Sequence, residues 1–175
     1  VKYQVVHAVE FGVPQKRERV IIVGFRKDLN VKFDFPEAVI DSPEKYVPLS
    51  EVIDSNVDDK YFFSQKAVDG MMRNRESMNK GRAQNIDEPC NTVGAHLAKV
   101  SLNSTDPVLM VDNKYRRFTP REVARIQSFP ETFKLTESEH AQYKALGNAI
   151  PPVMFWYIMK SVKSSLCLEG ECQKQ

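Results

Sequence analysis

Residues 115–133 read Y-R-R-F-T-P-R-E-V-A-R-I-Q-S-F-P-E-T-F, from Tyr115 to Phe133. Thr119 predicts a helix N-cap, Pro120 stands at the first helical position, and Glu122 completes a capping box three residues after the cap. Val123, Ile126 and Gln127 follow with Ala124 between, a short apolar face. The helix is expected to end before Phe129-Pro130, because a residue ahead of proline avoids the α region. Lys114, Arg116, Arg117, Arg121 and Arg125 make the stretch basic. Local physics leaves two readings open: a capped surface helix with a solvated basic face, or a brace for a site that meets an anionic polymer.

Upstream lies Phe11 to Arg26, F-G-V-P-Q-K-R-E-R-V-I-I-V-G-F-R. Lys2 to Glu10 alternates as a strand, and Gly12 and Pro14 break it. Val20 to Phe25 is a continuous apolar run, the pattern of a strand buried on both faces. The two strands predict a hairpin at the side of a larger sheet that this sequence does not contain. The connecting loop, Gln15 to Arg19, reads as a solvated charged turn, with one objection. Arg17 and Arg19 share a face of a strand entering a core, where a guanidinium needs a partner such as an anion or a polar base edge.

Downstream lies Tyr143 to Trp156, Y-K-A-L-G-N-A-I-P-P-V-M-F-W. Thr136 to Glu139 predicts a second capping box, opening a helix through Tyr143 and Leu146 with Gly147 as its stop. Pro151-Pro152 then starts a long helix to about Leu166, apolar over more than one face and so expected against a sheet. A tight interhelical turn accounts for Gly147 to Ile150 on local grounds alone.

These three patterns, in this order, resemble the last three conserved motifs of the DNA (cytosine-5) methyltransferases, most closely those of bacterial and phage restriction-modification systems. The resemblance implies an α/β fold: the C-terminal portion of a Rossmann-like methyltransferase, contributing an edge hairpin and a returning helix, plus a small mixed α+β target-recognition domain. It implies that Arg19, the last arginine of Q-x-R-x-R, approaches the flipped cytosine, with Arg17 in a structural or phosphate contact. It also implies that the Gly-Asn-Ala turn helps close an S-adenosylmethionine pocket, with Asn148 as polar contact beside Ala149 and Ile150. The domain limits expected are 1–32 for edge strands of the catalytic domain, 33–135 for target recognition, 136–168 for helices returning to the catalytic domain, and 169–175 for a disordered tail.

The intervening segment fits a recognition region. Phe33 to Tyr46, with Pro36 and Pro43, reads as a linker. Pro48 to Ile53 predicts a short helix or turn, and Ser64 to Met72 a short helix with a capping serine, its Met71 and Met72 read as core filler. Arg73 to Arg82 is polar, basic and turn-rich, either a plain surface loop or a DNA contact through Arg73, Arg75, Lys80 and Arg82. Thr92-Val93 resembles the pair that ends the family's specificity segment, making Thr92 a backbone or base contact; His96 and Lys99 are groove or phosphate candidates. Val108 to Val111 predicts a strand. Cys90 follows a proline, as the family's nucleophile does, but it precedes Asn91 and lies downstream of the arginine motif, so it reads as a small buried residue.

Bulk properties are compatible with this reading. The chain has 175 residues, 42% of them hydrophobic and 27% charged, with a formal charge of +2. Charge is therefore clustered rather than abundant. The three cysteines suggest neither a disulfide framework nor a zinc site, and the absence of a signal peptide or long apolar run makes a reduced cytoplasm the expected home. The sequence begins at Val1, inside an alternating segment, as a fragment or a separately made second half would. Methylating cytosine C5 needs a thiolate, an acid and a cofactor pocket. The family's glycine-rich turn, Pro-Cys-Gln loop and Glu-Asn-Val segment do not occur here. The expected function is thus the C-terminal half of a DNA cytosine C5 methyltransferase, inactive without an N-terminal half and acting on double-stranded DNA. The alternative is a stand-alone DNA-binding or regulatory module.

Overall fold

The structure is a computed structural model that describes residues 1–73, 83–99, 106–135 and 138–167. Arg75, Lys80, Arg82, Thr136 and the tail from Glu169 lie outside the described residues, as do the side chains of Met71, Met72 and Arg73.

Strands β1 (Lys2–His7) and β3 (Glu18–Val23) form the expected hairpin, antiparallel from Lys2↔Val23 to His7↔Glu18. Their connection is longer and more ordered than a charged turn. A 3-10 turn spans Ala8–Phe11, and Gly12 reverses the chain at φ +78°, a value only glycine takes without cost. The two-residue strand β2 (Gln15–Lys16) then leaves the hairpin and pairs in parallel with β4 (Cys90–Asn91). The segment expected to be a solvated loop is therefore a sheet contact with a distant part of the chain.

Strands β5 (Leu109–Val111) and β6 (Lys114–Arg116) make a second hairpin, closed by Asp112 and Asn113 at φ +50° and +61°. Two consecutive positive φ values match the right-handed twist of the flanking strands, and Asp and Asn tolerate them. Helix α1 (Gln65–Arg73) starts where Ser64 accepts from the Ala67 amide. Helix α2 (Pro120–Ile126) carries the predicted capping box in full: Glu122 N–H donates to Thr119 Oγ1 at 3.1 Å and Thr119 N–H donates to Glu122 Oε2 at 2.7 Å. Its inner flank is closed by Glu122, Val123, Ala124 and Ile126, all buried, while Arg121 and Arg125 are partly buried and engage Phe133 O and the carboxylates of Asp54 and Glu131.

Helix α3 (Glu139–Asn148) is capped by Ser138, which accepts from the Ala141 amide, one of the roles expected of Thr136. Helix α4 runs from Pro152 to Cys167. Gly147 lies inside α3 rather than past its end, and the C-cap is Ala149 at φ −67°. The reason for a glycine there is space. A Cβ at Gly147 would come within 2.3 Å of the Gly94 backbone and 2.4 Å of Ala95 N.

Two apolar cores result. The larger joins Leu49, Cys90, Val93, Leu97, Leu109, Phe118, Val123, Ile126, Tyr143 and Leu146. The smaller joins Val6, Ala8, Phe11 and Val13 of the hairpin region with Met154 and Ile158 of α4. Helix α3 thus packs into the larger core and α4 onto the hairpin. The linker region has no strand or α-helix, yet the amides of Val39 and Ile40 both donate to Glu10 O at 3.0 and 2.9 Å.

Strand β3 is covered on one face only. Tyr3 (78% exposed) pairs across the hairpin with Ile22 (69%), and Val5 with Val20, so an apolar face opens to solvent. Helix α4 likewise exposes Phe155, Trp156 and Met159 on the side away from Met154 and Ile158. Among the described residues no helix is long and apolar enough to cross a membrane.

Candidate functional site

The three motif stretches and Thr92-Val93 converge on one polar joint between the two cores. The Gln15 side chain is completely buried. Its Oε1 accepts from the Val93 amide at 2.9 Å, and its Nε2 donates to Gln127 Oε1 at 3.0 Å. Gln127, also fully buried, donates through Nε2 to the Leu146 carbonyl at 2.5 Å. Sequence reasoning missed both glutamines as site residues. The available signal was Gln127 itself, a polar residue four positions after Val123 on the apolar face of α2.

Arg17 closes the joint from the other side. Only 4% of it is exposed, and its fork donates to Val93 O at 3.2 Å and Gly147 O at 3.3 Å. The expected anionic partner is here a pair of carbonyls. One belongs to the last turn of α3, where carbonyls lack intrahelical partners and a positive charge is favoured by the helix dipole. Burial first, and the neighbouring Arg19 charge second, pull the Arg17 pKa down to about 10, so it stays protonated near neutrality. Its Nε is buried and has no partner among the described residues.

Arg19 is only partly buried, and Nη1 donates to the Glu18 carbonyl at 2.6 Å. It therefore retains donors for a further acceptor. Thr92 is exposed and donates its hydroxyl to Lys16 O at 3.0 Å, which ties the Thr92-Val93 segment to the strand leading to Arg19. Lys16 is engaged by Glu88 at 2.6 Å, and this contact, with a second from Asn85, holds the Glu88 carboxyl below its ordinary range. His96 and Lys99 are exposed around a 3-10 turn that packs on α3. Cys90 is fully buried in the larger core, and desolvation raises its thiol far above the ordinary value.

The turn between α3 and α4 is clamped on both sides by the exit of α2. Gln127 holds Leu146 before the turn, and Ser128 Oγ accepts from Val153 N at 3.2 Å after it. Ser128 sits at φ +65°, an unusual cost for a serine that aims its hydroxyl at the open first turn of α4. Between the clamps Asn148 and Ile150 are exposed and Ala149 is partly buried. An amide beside an apolar side chain, on backbone fixed at both ends, suits a ligand with polar and apolar parts.

Comparison with known proteins accords with this arrangement. A family model described as C-5 cytosine-specific DNA methylase matches residues 1–164. The Type II methyltransferase M.FnuDI of Fusobacterium nucleatum is 32% identical over a match that takes in 98% of this chain and 57% of that protein. The Type II methyltransferase M.MthTI of Methanothermobacter thermautotrophicus is 33% identical, with 95% and 57% covered. Among solved structures, the Entamoeba histolytica methyltransferase EhMeth aligns with a TM-score of 0.67 at 18% identity, covering 94% of this chain and 53% of that one. A putative DNA modification methyltransferase from an E. coli prophage gives 0.66 at 17% identity, covering 95% and 60%. The chain spans about half the length of the relatives it matches, and its fold is the corresponding α/β portion of a Rossmann-like methyltransferase.

Proposed function

The chain belongs to the C-5 cytosine-specific DNA methylases, and from that membership we propose that it is the C-terminal half of a DNA cytosine C5 methyltransferase of the restriction-modification kind. It recognises a DNA sequence, holds the extruded base with Arg19, and completes its active site with an N-terminal half, in the same polypeptide or a separate one. The observation that carries this reading is the joint closed by Arg17. It fastens the Arg19 strand, the Thr92 segment and the Asn148 turn to one another, although they lie far apart in sequence.

The roles follow from chemistry. Cytosine C5 is unreachable in a stacked duplex, so the base must be extruded and its polar edge met by fixed donors. Arg19 keeps free guanidinium N–H groups at the strand end, and a planar fork suits a carbonyl oxygen. Thr92, His96 and Lys99, with Arg73 at the end of α1 and the basic residues Arg75, Lys80 and Arg82 that follow in sequence, provide polar and basic groups for base edges and phosphates. Asn148, Ala149 and Ile150 would hold part of S-adenosylmethionine, which supplies an electrophilic methyl group when bound. The attacking thiolate comes from the N-terminal half, because Cys90 is sealed in a core.

The expected division put both helices of 136–168 with the catalytic part; we propose instead that α3, whose Tyr143 and Leu146 pack in the larger core, joins that core to the hairpin, and that α4 alone returns to the hairpin. The test is methyl incorporation into mixed-sequence DNA from labelled adenosylmethionine, with the chain alone and with an upstream half added. Activity only in the mixture is the expected result. Activity from the chain alone would overturn the division of labour, and specific DNA binding with no activity in either sample would leave a binding module.

A further inference from the structure

The joint is a closed ring of directional bonds, and the ring leaves each glutamine amide one orientation. Val93 N–H can only donate, so it fixes the Gln15 oxygen towards itself and the Gln15 NH2 towards Gln127. At the far end the Leu146 carbonyl can only accept, so it fixes the Gln127 NH2 towards itself and the Gln127 oxygen towards Gln15. Reversing either amide would set like groups against each other in a space closed to water. Leu146 leads to Gly147, whose carbonyl takes Arg17, and Arg17 returns to Val93 O. Both backbone groups of Val93 are thereby held, one by Gln15 and one by Arg17.

We propose that Gln15 and Gln127 are positioning residues for methyl transfer: their amide chain sets the Arg19 strand against the Thr92 segment and the Asn148 turn. The inference rests on the proposed function for the role of Arg19. Both glutamines are fully buried, and each acts through Val93, Leu146 and the strand that continues to Arg19. Within the ring Val93 adjoins Thr92, assigned above to DNA, and Arg17 stands two residues before Arg19, assigned above to the base. A protein that must sense its site before engaging the base has here a stiff connection between the two. Buried amide networks of this sort are costly when broken and fully satisfied when whole.

Two variants separate positioning from simple stability. Gln127→Leu removes both amide bonds at similar size. Gln127→Glu carries a switch: as a neutral acid it offers one acceptor to Gln15 and one O–H donor to Leu146, the pattern of the amide it replaces. As a carboxylate it offers two acceptors, one of them facing the Leu146 carbonyl. Arg17, bonded to Val93 O and Gly147 O, is the charged side chain built into the ring, with Arg19 beside it along the strand and the Asp106 carboxylate near Gly94. The neutral acid is therefore favoured as pH falls.

The experiment has two arms. In the chain with its upstream half, steady-state methylation is measured well below the melting transition, with DNA affinity measured alongside. Gln127→Leu is expected to lower kcat on the order of tenfold to a hundredfold, the scale of a small misplacement of reacting groups, with DNA Kd within about twofold. Gln127→Glu is expected to approach the unsubstituted protein as pH is lowered and to fall away as it is raised. Unchanged kcat in a destabilised Gln127→Leu protein would reduce the ring to a structural feature. The second arm reads amide hydrogen exchange in the same samples. Faster exchange at Val93, Arg19 and Asn148 together is expected, although Gln127 bonds to none of them, and a response confined to residues 126–128 and 146 would overturn the proposal. If the unsubstituted mixture does not methylate DNA, the proposed function fails, and the exchange arm still decides whether the ring couples the three segments.

Discussion

The carboxylate of Glu122 faces the guanidinium of Arg116 at 2.7 and 2.8 Å, with both side chains sealed from water. Glu122 also accepts from the amides of Thr119 and Asp54, and Arg116 donates to the carbonyls of Asp54 and Arg117. The pair locks the α2 cap to the segment after the linker. Deleting one partner strands the other charge in the core. Glu122→Ala is expected to cost about 3–5 kcal/mol. That corresponds to roughly 6–20 °C in melting temperature for a chain of this size. Thermal unfolding followed by circular dichroism measures it, and a loss of only a degree or two would mean the pair is not buried as described.

Gly147 and Gly94 face each other, and substitution should discriminate sharply between them. Alanine is favoured over glycine by about 1 kcal/mol in a helix interior. At Gly147 that gain is opposed by a Cβ within 2.4 Å of backbone atoms, which cannot swing aside. At Gly94 the nearest atom to a Cβ is Asp106 Oδ1 at 3.3 Å, a side-chain end that can give. Gly147→Ala is therefore expected to destabilise by about 2 kcal/mol or more, as other overpacked sites do. Gly94→Ala is expected to stay within about 1 kcal/mol on the same overpacking scale. Comparable melting temperatures for the two would contradict the close approach of α3 to this segment.

What the sequence disclosed and what it hid follow the range of the interactions. The α2 cap was legible because Thr119, Pro120 and Glu122 act within one turn. The β1–β3 hairpin and α4 were legible from the runs V-I-I-V and V-M-F-W-Y-I-M, where periodicity is a local property. The partners of Arg17 were not, since Val93 and Gly147 lie 76 and 130 positions away. Strand β2 was hidden for the same reason: two residues carry no pattern, and its partner is Cys90-Asn91. Gly147 gave the right residue with the wrong cause, because a helix stop and a close approach both call for glycine. The motif order picked out segments that the structure brings together, and the glutamine ring that joins them needed coordinates.

Arg17 and Arg19 should separate cleanly by experiment despite standing two residues apart. Arg17 spends its fork on two carbonyls in the joint, whereas among the described residues Arg19 bonds only the neighbouring Glu18 carbonyl. Arg19→Ala is expected to leave the melting temperature within the range of an ordinary surface change, about 0.5 kcal/mol. It should lower methyl transfer in the complemented enzyme by about 10²–10³, the scale of a lost electrostatic contact to the reacting group. Sequence preference in DNA binding should survive. Arg17→Lys replaces a planar fork with a point charge and leaves a carbonyl unmet, so it is expected to destabilise by about 1–3 kcal/mol. Loss of DNA binding with Arg19→Ala would count against its assignment to the base.

Cys90 tests the location of the nucleophile. Its thiol is buried, and desolvation raises its pKa well above the ordinary cysteine value, so thiolate is scarce at neutral pH. Alkylation by iodoacetamide at pH 8 should spare Cys90 in the native chain and modify it in guanidinium, as read by peptide mass spectrometry. Cys90→Ala should preserve methyl transfer in the complemented enzyme while costing roughly 1 kcal/mol of packing. Rapid native labelling, or abolished transfer at unchanged stability, would move the nucleophile into this chain.

The open face of the hairpin is the surface on which an N-terminal half would be felt. Tyr3, Val5, Val20 and Ile22 form one contiguous apolar side, paired Tyr3↔Ile22 and Val5↔Val20. Covering a Val or Ile side chain contributes about 1.5–3 kcal/mol. Placing a charge there forfeits that gain and adds a desolvation cost. The double variant Val20→Lys with Ile22→Glu is therefore expected to weaken association with an upstream half by at least about a hundredfold, since two lost contacts exceed the roughly 2.7 kcal/mol that factor represents. The same change should make the isolated chain less prone to self-association, because it breaks up an exposed apolar patch. Sedimentation velocity of the chain alone and calorimetric titration with the upstream half measure the two effects. The hairpin's own fold should be little affected, since Val6, Ile21 and Val23 on its other face keep their packing against α4. Association that is indifferent to both charges would place the docking surface elsewhere, with the outer side of α4 around Trp156 the next to be tested in the same way.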